Sequence, residues 1–321
     1  MVKIQQKMEI FFTTIILICV KMGSSDIMNI LYCGDNGIAR GVLVSILSIL
    51  KYNKEPIHFF IATIEFRDTK PFSEKSAKFL DSLVKKTNPK SFVKLIDATD
   101  AFIEGLPKKN MGALFFPPAA MLRLYIDKMP ELTKLSRVLY LDYDVVCRGD
   151  LREFYNTDLD GIEAAGVLDM YGRRFYKYHG IAKRKNDRYL VDMREKKELS
   201  FLKQDYMNSG VMLFNIPECL KSDIFPRAVD LCIKRWSLLA DQAALNKVIN
   251  KRKLCPRRFN EQSERPKKDT ILHHFSNNFK FFPYIRLQKV KPFEVDKVHE
   301  ILKITEYDDI LEKYKKMEKY L

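Results

Sequence analysis

The chain has 321 residues, of which 46% are hydrophobic and 30% charged, with a formal net charge of +15 and a pI near 9.4. Such a composition excludes a disordered chain and suits one large domain or two small ones. The positive surplus favours anionic partners (a phosphorylated substrate, nucleic acid or an anionic membrane face) without choosing among them.

Lys3 and Lys7 precede an apolar run over 10–20, which Lys21 closes. The run is about half the roughly 20 residues a membrane span needs, and no small-x-small cleavage pattern follows it. Residues 1–27 are read either as lying upstream of a true start at Met28 or as a weak membrane anchor, the first being preferred. From Met28 the pattern alternates. A strand over 29–33 and a turn over 34–37 lead to an amphipathic helix over 39–52. A strand over 57–63, a helix ending at Thr87 with Ser73 as its N-cap, and a strand over 91–96 follow. This order predicts a mostly parallel, doubly wound sheet.

Pro117-Pro118 punctuates the chain before a helix over 119–126 that carries Arg123. The run 137–141 predicts a buried strand, 151–155 a helical turn and 164–168 another strand. A basic stretch over 171–203 includes Arg173, Arg174, Lys183, Arg184, Lys185 and Arg188, and is too long for a plain connection. A strand over 210–215, helices over 222–236 and 241–249 and a strand over 270–273 complete one α/β domain, 28–285. Residues 286–321 predict a charged tail with an amphipathic surface helix. The six cysteines (Cys19, Cys33, Cys147, Cys219, Cys232 and Cys255) form no Cys-x-x-Cys pair, which argues against a zinc knuckle or disulfide scaffold and suits a reducing cytosol.

Six segments carry chemistry. Asp142 and Asp144 follow the strand 137–141 at i and i+2, and in an extended chain both point to one side. Two converging carboxylates call for a divalent cation, or they are turn and cap residues. Cys33-Gly34-Asp35 ends the first strand, where a nucleotide base could sit. Arg123 could hold a phosphate or a carboxylate, or lie on a solvated helix face. Asn208-Ser209-Gly210 could bond sugar hydroxyls or make a turn. Asp241-Gln242 opens a helix, as an N-cap pair or as part of a site. His273-His274-Phe275 ends the last strand, with Lys280 beyond it. Two Asp oxygens and one His nitrogen suit Mn2+ better than Mg2+ and leave positions open for a diphosphate.

In this order the segments resemble retaining glycosyltransferases of family 8, which include bacterial lipopolysaccharide galactosyl- and glucosyltransferases and glycogenin. The matching motifs are Leu139-Tyr140-Leu141-Asp142-Tyr143-Asp144 and Met121-Leu122-Arg123-Leu124. Further on come Met207-Asn208-Ser209-Gly210-Val211, Asp241-Gln242-Ala243-Ala244-Leu245-Asn246 and the stretch from His274-Phe275 through Asn277 to Lys280. The resemblance implies a GT-A fold with a UDP-hexose at the sheet edge. It implies Asp142, Asp144 and His274 as metal ligands, and donor contacts from Cys33, Asp35, Arg123, Tyr143, Asn208, Ser209, Asp241, Gln242, Asn277 and Lys280. Gln242, with Asp241, stands nearest the reacting carbon.

Four departures bear on the donor. Asp35-Asn36-Gly37-Ile38 stands for Asp-x-Asn-Tyr, Asn277 for Gly, and Phe281-Phe282 for Pro-Trp. Ala243 occupies a position that is acidic in some members. The expected activity is transfer of glucose or galactose from the UDP-sugar, with Mn2+ or Mg2+, to a cell-envelope glycan or glycolipid such as lipopolysaccharide core. The expected place is the cytoplasm, peripheral on the inner membrane face, with no nucleic-acid partner. A self-glycosylating enzyme and an inactive scaffold of the same fold are the alternatives.

Overall fold

A computed structural model describes residues 27–105, 118–170, 205–234, 240–276, 278–280 and 286–321. The apolar N-terminal run, the basic stretch 171–203 and Asn277 lie outside the described residues. Strand β1 (Met28–Cys33) is buried along its whole length because alternate side chains serve two cores. Ile30 and Tyr32 pack with helix α1 (Ala39–Tyr52), while Leu31 and Cys33 face the opposite side of the sheet. Strands β2 (Ile57–Thr63) and β3 (Phe92–Asp97) continue the sheet in parallel on one side of β1. β4 (Arg137–Leu141) lies parallel on the other.

Outside β4 come β7 (Met207–Asn215), β6 (Ala164–Leu168) and β8 (Arg252–Leu254). Of the seven strands only β7 runs against its neighbours, so the sheet is mixed but mostly parallel, as the alternating pattern predicts. β5 (Val145–Cys147) and β9 (Leu272–His274) form a separate antiparallel ribbon, and β10 (Asn278–Lys280) and β11 (Arg286–Gln288) a second.

Tertiary packing revises several expectations. The helix over 119–126 is a tighter 3-10 stretch (Pro118–Lys128), broken at Tyr125 (φ −115°, ψ 20°). Tyr125 packs its ring on Phe102 and crowds Gly105, where a Cβ would lie 2.5 Å from the tyrosine ring. β7 begins at Met207 rather than at 210, so Asn208 and Ser209 are strand residues and not a turn. Helix α2 (Glu74–Thr87) starts as expected, with Ser73 Oγ accepting from the Ser76 N–H. Helices α3 (Ile224–Lys234) and α4 (Ala240–Val248) pack toward the second core.

α1 is not half-exposed: eleven of its fourteen residues are buried. Its outer face is covered by helix α5 (Asp308–Met317), which buries Ile310, Leu311 and Tyr314 in the same core and pairs Asp309 with Lys51 at 2.8 Å. Among the described residues no helix is long and apolar enough to cross a membrane.

Candidate active site

β4 ends at Leu141 and the chain turns at once. The Val145 N–H donates to Asp142 O at 3.2 Å, so 142–144 form a tight turn rather than the extended segment expected from the i, i+2 spacing. The turn is needed because β5 leaves the main sheet for the ribbon with β9, and that pairing sets His274 opposite Val145. His274 Nε2 then lies 3.6 Å from Asp142 Oδ2 and 3.3 Å from Asp144 Oδ1. All three donor atoms fall within 4.8 Å of one another.

Each carboxylate gives its second oxygen to the protein. Asp142 Oδ1 accepts from the Tyr140 hydroxyl at 2.6 Å and faces Arg123 Nη1 at 3.3 Å. Asp144 Oδ2 accepts from the Lys291 ammonium at 2.5 Å. Gly210 leaves the room the cluster needs, since a Cβ there would sit 2.2 Å from His274 Cε1 and 2.7 Å from Asp142 Oδ2. Two carboxylate oxygens and one imidazole nitrogen, close to one another, could hold a divalent cation.

The charges are held by their neighbours. Burial works against the Asp144 carboxylate, yet Lys291 and His274 hold it well below the usual carboxylate range. Burial likewise disfavours a charged His274, while Asp144 and Asp142 draw its imidazole above its ordinary value. Burial raises the Asp241 carboxyl despite the guanidinium beside it. Arg123 is buried, not on a solvated face. Its Nε sits 2.7 Å from Asp241 Oδ2, its Nη1 donates to Ser209 O at 2.9 Å, and its guanidinium lies 4.3 Å from the Tyr140 ring centre. One cation thus ties together three of the expected segments.

Gln242 is fixed as well. Its Oε1 accepts from Ser209 N–H at 2.9 Å, Ser209 Oγ at 3.2 Å and Asn208 Nδ2 at 3.3 Å. Cys33 is buried at the sheet edge, close enough to Arg123, Asp142 and Asp241 to feel their charges. Its thiol lies in the second core, where burial pushes it up. Asp35 is half-buried, and its carboxylate accepts from Gly37 N–H at 2.8 Å. Tyr143 packs on Gly41, where a Cβ would lie 2.4 Å from its ring, and burial pushes its hydroxyl up to about 12. Asn277 lies outside the described residues, and for Lys280 only the backbone in β10 is described.

Three residues were missed by the sequence reading. Lys291 stands 2.5 Å from Asp144, and Lys291-Pro292-Phe293 is a Lys-Pro-aromatic sequence that follows β11. Asp169 follows the apolar strand β6, the same signal that singled out Asp142. It accepts from Asn208 Nδ2 at 2.9 Å. Asn260, which no sequence pattern marks, bridges His274 and Asn208.

A profile described as Glycosyl transferase family 8 matches residues 29–294. A lipopolysaccharide 1,3-galactosyltransferase of Salmonella typhimurium is 27% identical over 74% of this chain, and a lipopolysaccharide 1,2-glucosyltransferase of Escherichia coli 26% over 75%. The aligned region spans 64% of each relative's length. The solved structure of galactosyltransferase LgtC in complex with donor and acceptor sugar analogs superposes with a TM-score of 0.62 at 17% identity. The superposition covers 92% of this chain and all of that one. The fold is therefore GT-A.

Proposed function

The chain belongs to glycosyl transferase family 8, and from that premise we propose that it is a metal-dependent retaining hexosyltransferase. It moves glucose or galactose from a UDP-hexose to a hydroxyl of a cell-envelope glycan or glycolipid, for which the lipopolysaccharide transferases among its relatives suggest lipopolysaccharide core. The observation that carries this reading is the meeting of Asp142, Asp144 and His274 at the carboxyl end of a parallel strand. Open α/β sheets bind their ligands at that edge.

Asp142, Asp144 and His274 would hold Mn2+ or Mg2+, which when bound supplies positive charge to the departing diphosphate. Lys291 stands at the same edge and shares that charge. Asp35 and the main chain at Cys33 border the uridine side, with Tyr143 nearby. Arg123 braces Asp142 and Asp241, and Asn208, Ser209 and Asp241 line the sugar side. The Gln242 carbonyl oxygen already receives three donors, which makes it a poor nucleophile. Attack by the acceptor hydroxyl on the same face as the leaving group accounts for retention, its proton passing to the leaving phosphate. The amide dipole of Gln242 steadies the cationic sugar. The surplus of Lys and Arg supports peripheral contact with the anionic cytoplasmic leaflet.

A panel of nucleotide sugars with Mn2+ tests the reading. One UDP-hexose should raise the melting temperature and be hydrolysed slowly to UDP. Asp144→Asn should cut turnover by about 100-fold or more. Lys291→Met should weaken UDP-hexose binding more than Lys280→Met does. If no UDP-sugar shifts the melting temperature and Asp144→Asn changes nothing, the proposal fails. Hexose-sized mass increments on the protein itself would turn it toward self-glycosylation.

A further inference from the structure

The polar network behind the site has a direction that can be read atom by atom. The Gly210 main-chain N–H, which can only donate, gives its hydrogen to Asn208 Oδ1 at 3.0 Å, and that fixes the amide. Asn208 Nδ2 therefore donates to Asp169 Oδ2 at 2.9 Å. Asn260 Nδ2 donates to Asn208 Oδ1 at 2.9 Å, which leaves Asn260 Oδ1 facing His274 Nδ1 at 3.2 Å. An acceptor there requires Nδ1 to carry a proton, so Nε2, which faces Asp142 and Asp144, is the nitrogen that would give up its proton to an ion. Every link points from the imidazole toward Asp169. All four side chains are buried, Asn260 completely.

We propose that Asn260 and Asp169 are positioning residues for the metal ligand: the relay His274–Asn260–Asn208–Asp169 fixes the tautomer of His274 and carries polarisation from a buried carboxylate to its imidazole. The inference rests on the metal-site reading above. Ligating histidines usually give their second N–H to a carboxylate or carbonyl directly. Here a carboxylate in direct contact would add a third negative charge beside Asp142 and Asp144. Two amides in series keep that charge at a distance, and their aligned dipoles reinforce one another in a buried setting. The relay also passes through Asn208, so the metal side and the sugar side share one rigid frame. Gln242 Nε2 joins it at Asp169 Oδ2, at 3.3 Å.

The test is Mn2+ affinity of the full chain in the presence of UDP, read from the electron paramagnetic resonance of free Mn2+, with melting temperatures taken separately. His274→Ala should lose tight binding. Asn260→Ala should weaken it by about 10- to 100-fold. Asp169→Asn, which keeps shape and removes only the charge, should weaken it by about 10-fold, the low end of that range, with its melting temperature unchanged. If Asn260→Ala does not fold, Asp169→Asn decides alone. Wild-type affinity in the Asn260→Ala and Asp169→Asn variants, with His274→Ala impaired, would overturn the relay. Wild-type affinity in His274→Ala would instead overturn the metal site itself.

Discussion

An ideal Cβ on residue 210 would lie 2.2 Å from His274 Cε1 and 2.7 Å from Asp142 Oδ2, and neither atom can yield without moving a proposed ligand. Both neighbours are anchored, His274 by Asn260 and Asp142 by the Tyr140 hydroxyl, so the strain falls on the cluster rather than on a flexible side chain. Gly210→Ala should therefore lower Mn2+ affinity by about 100-fold, at the upper end of what lost ligand support costs. It should lower the metal-free melting temperature by only a few degrees. Titration of both proteins with Mn2+ checks this, and equal affinity would mean that the ligands reach their ion by another arrangement. Lys291 makes a related point about register. A lysine followed by proline and an aromatic residue stands at 291–293, eleven residues beyond Lys280, and nothing in the sequence marks the pairing of β10 with β11 that lies before it.

The ribbon of β5 and β9 carries two adjacent histidines with opposite tautomers. His273 Nε2 faces the Ser263 carbonyl at 2.9 Å, which can only accept, so Nε2 bears the proton and Nδ1 receives the Tyr307 hydroxyl at 2.8 Å. This pair fastens the C-terminal segment to the strand that presents His274. Burial pulls His273 from its ordinary 6.5 down to about 4, against the opposing effect of Ser263. Between those values the unfolded chain binds a proton that the folded chain refuses. Stability is therefore intact above pH 6.5 and falls as pH drops toward 4, by about 2 kcal/mol near pH 4.5. In His273→Gln the difference between urea midpoints at pH 7 and pH 4.5 should shrink accordingly, and an unchanged difference would place the acid sensitivity elsewhere. Strands β2, β4 and β6 were legible to the residue because each is an apolar run bounded by polar or turn residues. β5 and β8 are three residues each, too short for any periodicity to show, while the strand expected over 270–273 falls at Leu272–His274 as β9. The brevity of β5 hid the partner of β9, so the pairing of His274 with Val145 is visible only in the folded chain.

Two cores, one on each face of the sheet, put the site at an edge that both must support. The core on the α1 side is closed by residues from the last part of the chain: Val298, Leu302, Tyr307, Ile310, Leu311 and Tyr314. The spacing of Ile310, Leu311 and Tyr314 on α5 reads correctly as amphipathic. What sequence alone could not supply is the surface it covers, since α1 looks like an ordinary half-exposed helix until α5 is laid on it. Burying three such side chains is worth about 1.5–3 kcal/mol each. Their sum, about 5–9 kcal/mol, is comparable to the whole net stability of many domains. A chain ending before residue 306 also loses the Tyr307 hydroxyl that His273 holds, one residue from His274. Such a truncation should lose its cooperative melting transition and, with it, Mn2+-dependent binding of UDP. Calorimetry of the truncated chain decides the matter: a cooperative transition at the wild-type midpoint would show that the last helix lies on the core without completing it.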